Sequence, residues 1–91
     1  MPESQSKYLR IPKLIRLPFG YTVTVKQLPM RELKKLADGD DVYGLWIDSS
    51  RTILIGKSLK PAKKRYTLVH EMRHAIADWE HLHAELGVTK A

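Results

Sequence analysis

The sequence predicts a small α+β domain: a three-stranded, mainly antiparallel sheet with one short helix and a long C-terminal helix. Three patterns support this prediction. Apolar and polar residues alternate in β-prone segments, a proline opens a short amphipathic segment, and the C-terminal third repeats apolar residues at helical spacing. The chain of 91 residues is long enough for one domain. We divide it into an extended basic segment, residues 1–18, and a single domain, residues 19–91.

The first predicted strand covers residues 19–28, which alternate and are rich in β-branched and aromatic side chains. Pro29 then opens a short helix over residues 30–37, because proline is favoured at the start of a helix. The acidic run at 38–41 contains a glycine and closes this helix as a turn.

Two further β-prone runs, residues 42–47 and 52–55, are joined by four polar or charged residues. This pattern predicts a hairpin with a four-residue loop, residues 48–51. The sequence therefore predicts the order strand, short helix, strand, strand, long helix.

The long helix is predicted from Lys63 or Arg65 to Leu86, since Pro61 precedes it and Gly87 follows it. Its apolar residues recur at the alternating spacing of four and three that packs one helix face on a core. This predicted stripe consists of Leu68, Met72, Ala75, Trp79, Leu82 and Leu86.

The same helix carries the pentad His70-Glu71-Met72-Arg73-His74, an H-E-x-x-H motif. Residues four apart lie one turn up the same helix face, so both imidazoles can converge on one metal ion, for which zinc is expected. Glu71 then lies where a carboxylate can take a proton from a water that zinc has acidified. The alternative is that His70 and His74 are solvated neighbours on a surface helix.

A third metal ligand is not evident, because a straight helix rises about 1.5 Å per residue and cannot return a distant side chain to the same ion. Further acidic and histidine residues follow on the same helix, or a partner chain could supply the ligand. Their simpler interpretation is a set of solvated neighbours or supports for the first ligands. The candidates are Asp78, Glu80, His81 and Glu85. His83 is predicted to be an ordinary surface residue.

Charge is unevenly distributed, with a net +8 in residues 1–65 and −2 in residues 66–91. Basic residues recur at every third position in the N-terminal segment, which could engage nucleic acid or an acidic protein, or be a solvated face. These residues are Lys7, Arg10, Lys13 and Arg16. Because no apolar run approaches the roughly 20 residues of a membrane span, we expect a cytoplasmic protein without membrane contact.

The stretch from Arg65 to Ala75, with the core Thr-Leu-Val-His-Glu-Met-Arg-His-Ala and a strand before it, resembles the active-site region of the zincin-like ImmA/IrrE metallopeptidases and their short phage-encoded relatives. The resemblance covers residues 42–82. It implies a zincin-like domain, a zinc ion held by His70 and His74, and Glu71 as catalytic base.

The resemblance predicts a minimal zinc metallopeptidase that hydrolyses peptide bonds through a metal-activated water. A peptide substrate would add to an exposed sheet edge, at strand 42–47 or strand 52–55. Tyr66 would either support the oxyanion or lie in the core. The alternative function is a catalytically degenerate zincin-like phage or mobile-element accessory protein that binds nucleic acid or an acidic host protein. The oligomeric state is left open.

Overall fold

The computed structural model of the protein describes residues 10–85. Within this range the elements follow in the order β1 (Leu14–Leu17), β2 (Tyr21–Leu28), α1 (Met30–Leu36), β3 (Gly44–Ile47), β4 (Thr52–Gly56) and α2 (Pro61–Glu85). The predicted short helix, hairpin and long helix are confirmed. Lys7 of the basic segment, Leu86 of the apolar stripe and the side chain of Glu85 lie outside the described part of the chain.

The predicted three-stranded, mainly antiparallel sheet is wrong. The described residues form one four-stranded mixed sheet in the order β1-β2-β4-β3. The two central strands, β2 and β4, run parallel with Val25 opposite Ile53, and each outer strand is antiparallel to its neighbour.

The burial of the strands explains this arrangement. All five residues of β4, from Thr52 to Gly56, are buried, and such a strand is stable only where it has neighbours on both sides. β3 is less buried and takes the edge, so its hairpin partner β4 lies beside β2 and runs parallel to it. β1 is the additional strand: Ile15 and Leu17 pack on the core and alternate with the exposed Leu14 and Arg16.

The core lies between the sheet and α2. It consists of Tyr21, Val23, Val25, Ile53 and Ile55 from the sheet with Ala75 from the helix. Of the predicted stripe, Leu68, Met72 and Trp79 also pack against this cluster. Strand alternation places Gly56 on the opposite sheet face, where Met30, the first residue of α1, fills the space that a side chain would need. The two helices therefore contact different faces of the sheet.

The C-terminal part of α2 departs from the predicted stripe. Leu82 is 37% exposed, whereas His83, predicted as a surface residue, is 4% exposed. The His83 ring lies 5.1 Å from the Phe19 ring and 5.0 Å from the Trp79 ring, and its Nδ1 is 2.8 Å from the Trp79 carbonyl oxygen. The prediction failed because histidine was treated as polar, although its ring packs well on other aromatic rings.

The turn between β1 and β2 anchors this end of α2. The indole Nε1 of Trp79 donates a hydrogen bond to the carbonyl oxygen of Pro18 at 3.1 Å, and Phe19 stacks on the Trp79 ring with centroids 6.3 Å apart. Phe19 and Gly20 both adopt positive φ angles, 67° and 77°, which reverse the chain tightly. The position of α2 on the sheet is thus fixed from its far end as well as through the core.

Candidate functional site

The H-E-x-x-H residues lie on the first half of α2, beside the edge strand β3. His70 and His74 are exposed, whereas Glu71 is buried with 8% of its surface accessible. Glu71 is buried because it shares the inward face of the helix with Thr67 and Ala75, which lie one turn before and after it. The helix therefore directs the two imidazoles to solvent and the carboxylate toward the sheet.

The two imidazole rings lie at a separation close to that of two ligands of one zinc ion. Their ring centroids lie 5.6 Å apart, and their planes meet at 73°. With Zn–N bonds of 2.0–2.1 Å and tetrahedral angles, two coordinating imidazoles have centroids roughly 5 Å apart.

The described residues do not bring a third ligand to this pair. Among residues 10–85, no three His, Cys, Asp or Glu side chains are grouped as a metal would require. Asp78 instead accepts a hydrogen bond from the indole Nε1 of Trp46 at 2.6 Å. His81 lines a different pocket together with Asp78 and Asp48, and Glu80 is exposed. Because α2 is unbroken to Glu85, no turn after His74 returns any of these side chains.

Close packing between α2 and β3 depends on Gly44. A Cβ atom at this position would lie 2.5 Å from Thr67 Cγ2, 2.7 Å from the Leu54 carbonyl oxygen and 3.5 Å from Glu71 Cγ. Since carbon atoms make favourable contact at about 3.5–4.0 Å, any side chain here would push the helix away. The absent side chain lets the Glu71 region approach the strand.

A cavity of about 280 Å³ opens at this contact. Its walls come from β3, the residues just before it and the first half of α2: Val42, Tyr43, Gly44, Tyr66, Thr67, His70 and Glu71. The hydroxyl Oγ1 of Thr67 is buried and has no hydrogen-bond partner among the described residues, which is unusual for a buried polar atom. The cavity is therefore lined by one histidine, the glutamate beside it and a threonine whose hydroxyl points away from the accessible space.

Burial raises the pKa of the Glu71 carboxyl above its ordinary value of 4.5, and the nearby His70 and His74 partly oppose this effect. Desolvation disfavours the charged form, whereas imidazolium neighbours would favour it. A carboxylate with a raised pKa is a stronger base than a solvated one. The environment of Glu71 thus differs from that of an ordinary surface glutamate.

Two exposed tyrosines form the rim of the cavity. Tyr43 and Tyr66 are 53% and 66% exposed, and the ammonium of Lys63 lies 4.6 Å from the Tyr43 ring centroid and 5.5 Å from that of Tyr66. The Tyr66 ring also stacks beside His70 with centroids 6.5 Å apart. The alternative that Tyr66 lies in the core is therefore wrong, because this residue lies at the mouth of the cavity.

Within residues 10–85, the outer edge of β3 has no strand partner, and this edge runs beside the site. β3 pairs with β4 on one side, whereas β4 is paired on both sides, with β2 and β3. Of the two strands considered for peptide addition, β4 is excluded because its backbone groups are already bonded to both neighbours. Gly44 and Thr67 are the site residues that sequence reasoning missed, and a lone glycine at the start of a strand was the one available signal.

The comparisons with known proteins leave the family open. No protein-family model matches the chain, and no curated protein or solved structure matches it either. Among the described residues, no helix has the length and apolar character needed to cross a membrane.

Proposed function

We propose that the protein is a minimal zinc-dependent peptidase in which His70 and His74 hold the ion and Glu71 is the general base. The observation that supports this most strongly is the position of Glu71. Glu71 is 8% exposed, lines the same cavity as His70, and its Cγ packs against Gly44 at the start of β3. A solvated pair of surface histidines would not need a buried glutamate beside them.

The bound ion would supply Lewis acidity, polarising the scissile carbonyl and activating the attacking water. Glu71 would take the proton from that water and return it to the leaving amine. Burial, which raises the pKa of Glu71 in the metal-free protein, makes its carboxylate a stronger base for the first transfer. The substrate would lie extended along β3, with main-chain hydrogen bonds fixing its register.

The third ligand would come from a partner chain, because Glu85, the remaining candidate on α2, lies about 16 Å beyond His74 along the same unbroken helix. Two imidazoles alone hold zinc weakly, so a third ligand should strengthen zinc binding, and its source can be tested. If a partner chain completes the site, zinc should promote association of the protein, and light scattering with and without zinc would detect it.

The decisive experiment compares three proteins: the wild type, Glu71→Gln and the double variant His70→Ala/His74→Ala. We expect about one zinc per chain in the wild type and in Glu71→Gln, and none in the double variant, as measured by elemental analysis. Hydrolysis of a fluorogenic peptide library should occur only with the wild type. Glu32→Gln is the matched control, since it makes the same carboxylate-to-amide change on the exposed face of α1.

Two outcomes would contradict the proposal. One is zinc-supplemented wild-type protein that contains no zinc. The other is peptide hydrolysis that survives in Glu71→Gln, because the general base would then be elsewhere.

A second candidate function is a binding protein without turnover, and the charge distribution described below favours it. Such a protein would bind its partner equally well as wild type and as Glu71→Gln, with strong salt dependence. Loss of hydrolysis without loss of partner binding in Glu71→Gln would show that both functions coexist.

A further inference from the structure

The topology brings lysines from distant parts of the sequence to one end of the sheet. Because β2 and β4 are parallel, their C-terminal ends lie side by side, and α2 begins only a few residues after β4. β1 is antiparallel to β2, so the chain entering β1 lies at the same end. We call this set the lysine end: Lys13, Lys26, Lys57, Lys60 and Lys64.

Contacts with the last residues of β2 fix these lysines in place. The carbonyl oxygen of Lys13 accepts a hydrogen bond from the backbone N–H of Val25 at 2.9 Å. The backbone N–H of Lys57 donates to the carbonyl oxygen of Leu28 at 2.7 Å. The ammonium of Lys64 donates to the side-chain oxygen of Gln27 at 2.7 Å. The segments that carry Lys13, Lys57 and Lys64 therefore all contact the last residues of β2.

The positive charge at the lysine end is not neutralised within the described residues. Among residues 10–85, the ion pair that forms is Lys34 with Asp41, 3.5 Å apart, which involves no member of the lysine end. Four of the five lysines are exposed, and Lys64 is half-buried. The N-terminus of the 25-residue helix α2 adds partial positive charge at the same place.

The acidic residues of the sheet and of α2 lie mainly toward the other end. Asp48 follows β3 and lines a pocket with Asp78 near the far end of α2. Glu32, in the first turn of α1, is the acid closest in sequence to the end of β2, and Arg31 beside it offsets its charge. Three further acids, Asp38, Asp40 and Asp41, precede β3 at the same end of the sheet as the lysines, and Asp41 is paired with Lys34. The five lysines outnumber these acids, so this end keeps an excess of positive charge that would attract a polyanion.

We propose that the lysine end binds the phosphate backbone of double-stranded nucleic acid without regard to sequence. Lysine ammoniums act as point charges that suit phosphates and carry no base readout. Two exposed tyrosines, Tyr43 and Tyr66, lie near this end, but the ammonium of Lys63 lies over both rings and His70 stacks beside Tyr66. They therefore do not form the open stacking platform that single strands use. The central strands β2 and β4 have no free edge for an acidic peptide to extend. A duplex presents closely spaced phosphates to lysines that the sheet gathers at one end.

The test measures binding of the full-length protein to a short DNA duplex of mixed sequence by fluorescence anisotropy across a salt series. Each phosphate contact contributes about −0.9 to the slope of log K against log salt, so five lysines give a slope of about −4.5. The variant Lys26→Gln/Lys57→Gln/Lys60→Gln should reduce the slope by about 2.7 and weaken binding at least tenfold at low salt.

The matched control is Arg16→Gln/Arg51→Gln/Arg73→Gln, which removes three positive charges from exposed positions away from the lysine end. Arg16 pairs with Thr22 at the start of β2, Arg51 precedes β4, and Arg73 lies in the middle of α2. It should change the affinity by less than about threefold. Equal losses in the two triple variants would overturn the proposal, since net charge alone would then explain binding. Circular dichroism of both variants confirms that neither effect reflects unfolding.

Two competitors identify the partner. A single strand of the same sequence should bind more weakly than the duplex, and polyglutamate should compete poorly at equal charge concentration. Polyglutamate that competes as well as DNA would overturn the nucleic-acid assignment in favour of an acidic protein. Glu71→Gln should bind the duplex like the wild type, so the result does not depend on whether the protein hydrolyses peptides.

Discussion

Replacement of Gly44 by alanine tests the close packing of α2 on the edge strand. The new Cβ would lie 2.5 Å from Thr67 Cγ2, and restoring a contact of about 3.5–4.0 Å requires a shift of about 1 Å. The Leu54 carbonyl oxygen, at 2.7 Å, blocks movement in the other direction. Overpacking of this kind costs about 1–3 kcal/mol. Alanine has fewer conformations than glycine in the unfolded chain, and this effect stabilises the folded state by about 0.4–1 kcal/mol.

The expected net loss for Gly44→Ala is therefore about 1–2 kcal/mol in the free energy of unfolding. For a domain of this size the melting temperature should fall by roughly 4–16 °C. Urea denaturation followed by circular dichroism measures the free energy, and a thermal melt gives the second value. The midpoint should change without a change in slope, because the surface exposed on unfolding stays the same.

Two further variants identify the cause of that loss. Thr67→Ser removes the Cγ2 atom, so the double variant Gly44→Ala/Thr67→Ser should recover about 0.5–1 kcal/mol relative to additivity. Gly56→Ala is the control, because its Cβ would meet the sulfur of Met30, which can rotate away. A Gly44→Ala protein as stable as the wild type, or no coupling to Thr67, would refute the close approach of helix and strand.

Three further predictions concern other parts of the fold. The hydrogen bond from Trp46 to Asp78 is exposed, so a double-mutant cycle with Trp46→Phe and Asp78→Ala should give a coupling of about 0.5–1.5 kcal/mol by urea denaturation. Burial raises the pKa of the Tyr21 phenol above 10.0, so the folded state holds this proton more tightly than the unfolded state does. Wild-type stability should therefore fall relative to Tyr21→Phe as the pH rises above about 10, and parallel pH curves would contradict this. His83→Ala should lower the free energy of unfolding by about 2 kcal/mol because the ring is buried. His70→Ala should change the free energy of unfolding of the metal-free protein by less than about 0.5 kcal/mol. Equal effects would show that His83 does not pack as described.

Local patterns were sufficient to predict most individual elements. Alternation gave β2, the polar loop at 48–51 gave the hairpin, and Pro29 marked the start of α1. These signals involve residues that are close in sequence. They depend on backbone preferences and on which side chains share one face of a helix or strand. The pairing of strands is different, because it depends on which strand can be buried on both sides. Only comparison of β4 with β3 in three dimensions shows why β4 takes the centre.

The candidate site also has features that local sequence patterns predict and contacts that only the fold shows. The sequence placed His70 and His74 on one helix face, and the structure keeps their rings 5.6 Å apart. It did not predict that Glu71 would be buried against Gly44, because that contact joins residues far apart in the chain. His83 was misjudged for a related reason: its burial comes from Phe19 and Trp79, and the turn that carries Phe19 meets the helix only in the folded protein.

The sequence by itself determined the chemical groups and their local spacing: two imidazoles one helical turn apart, a carboxylate beside them, and an excess of lysine. Helical and strand periodicity fix such relations within a single element. The tertiary structure decided which groups meet. It buried Glu71 beside a free strand edge, brought five lysines from four segments to one end, and directed Asp78 to Trp46. Those outcomes depend on strand order and on close packing between elements, which no local pattern specifies.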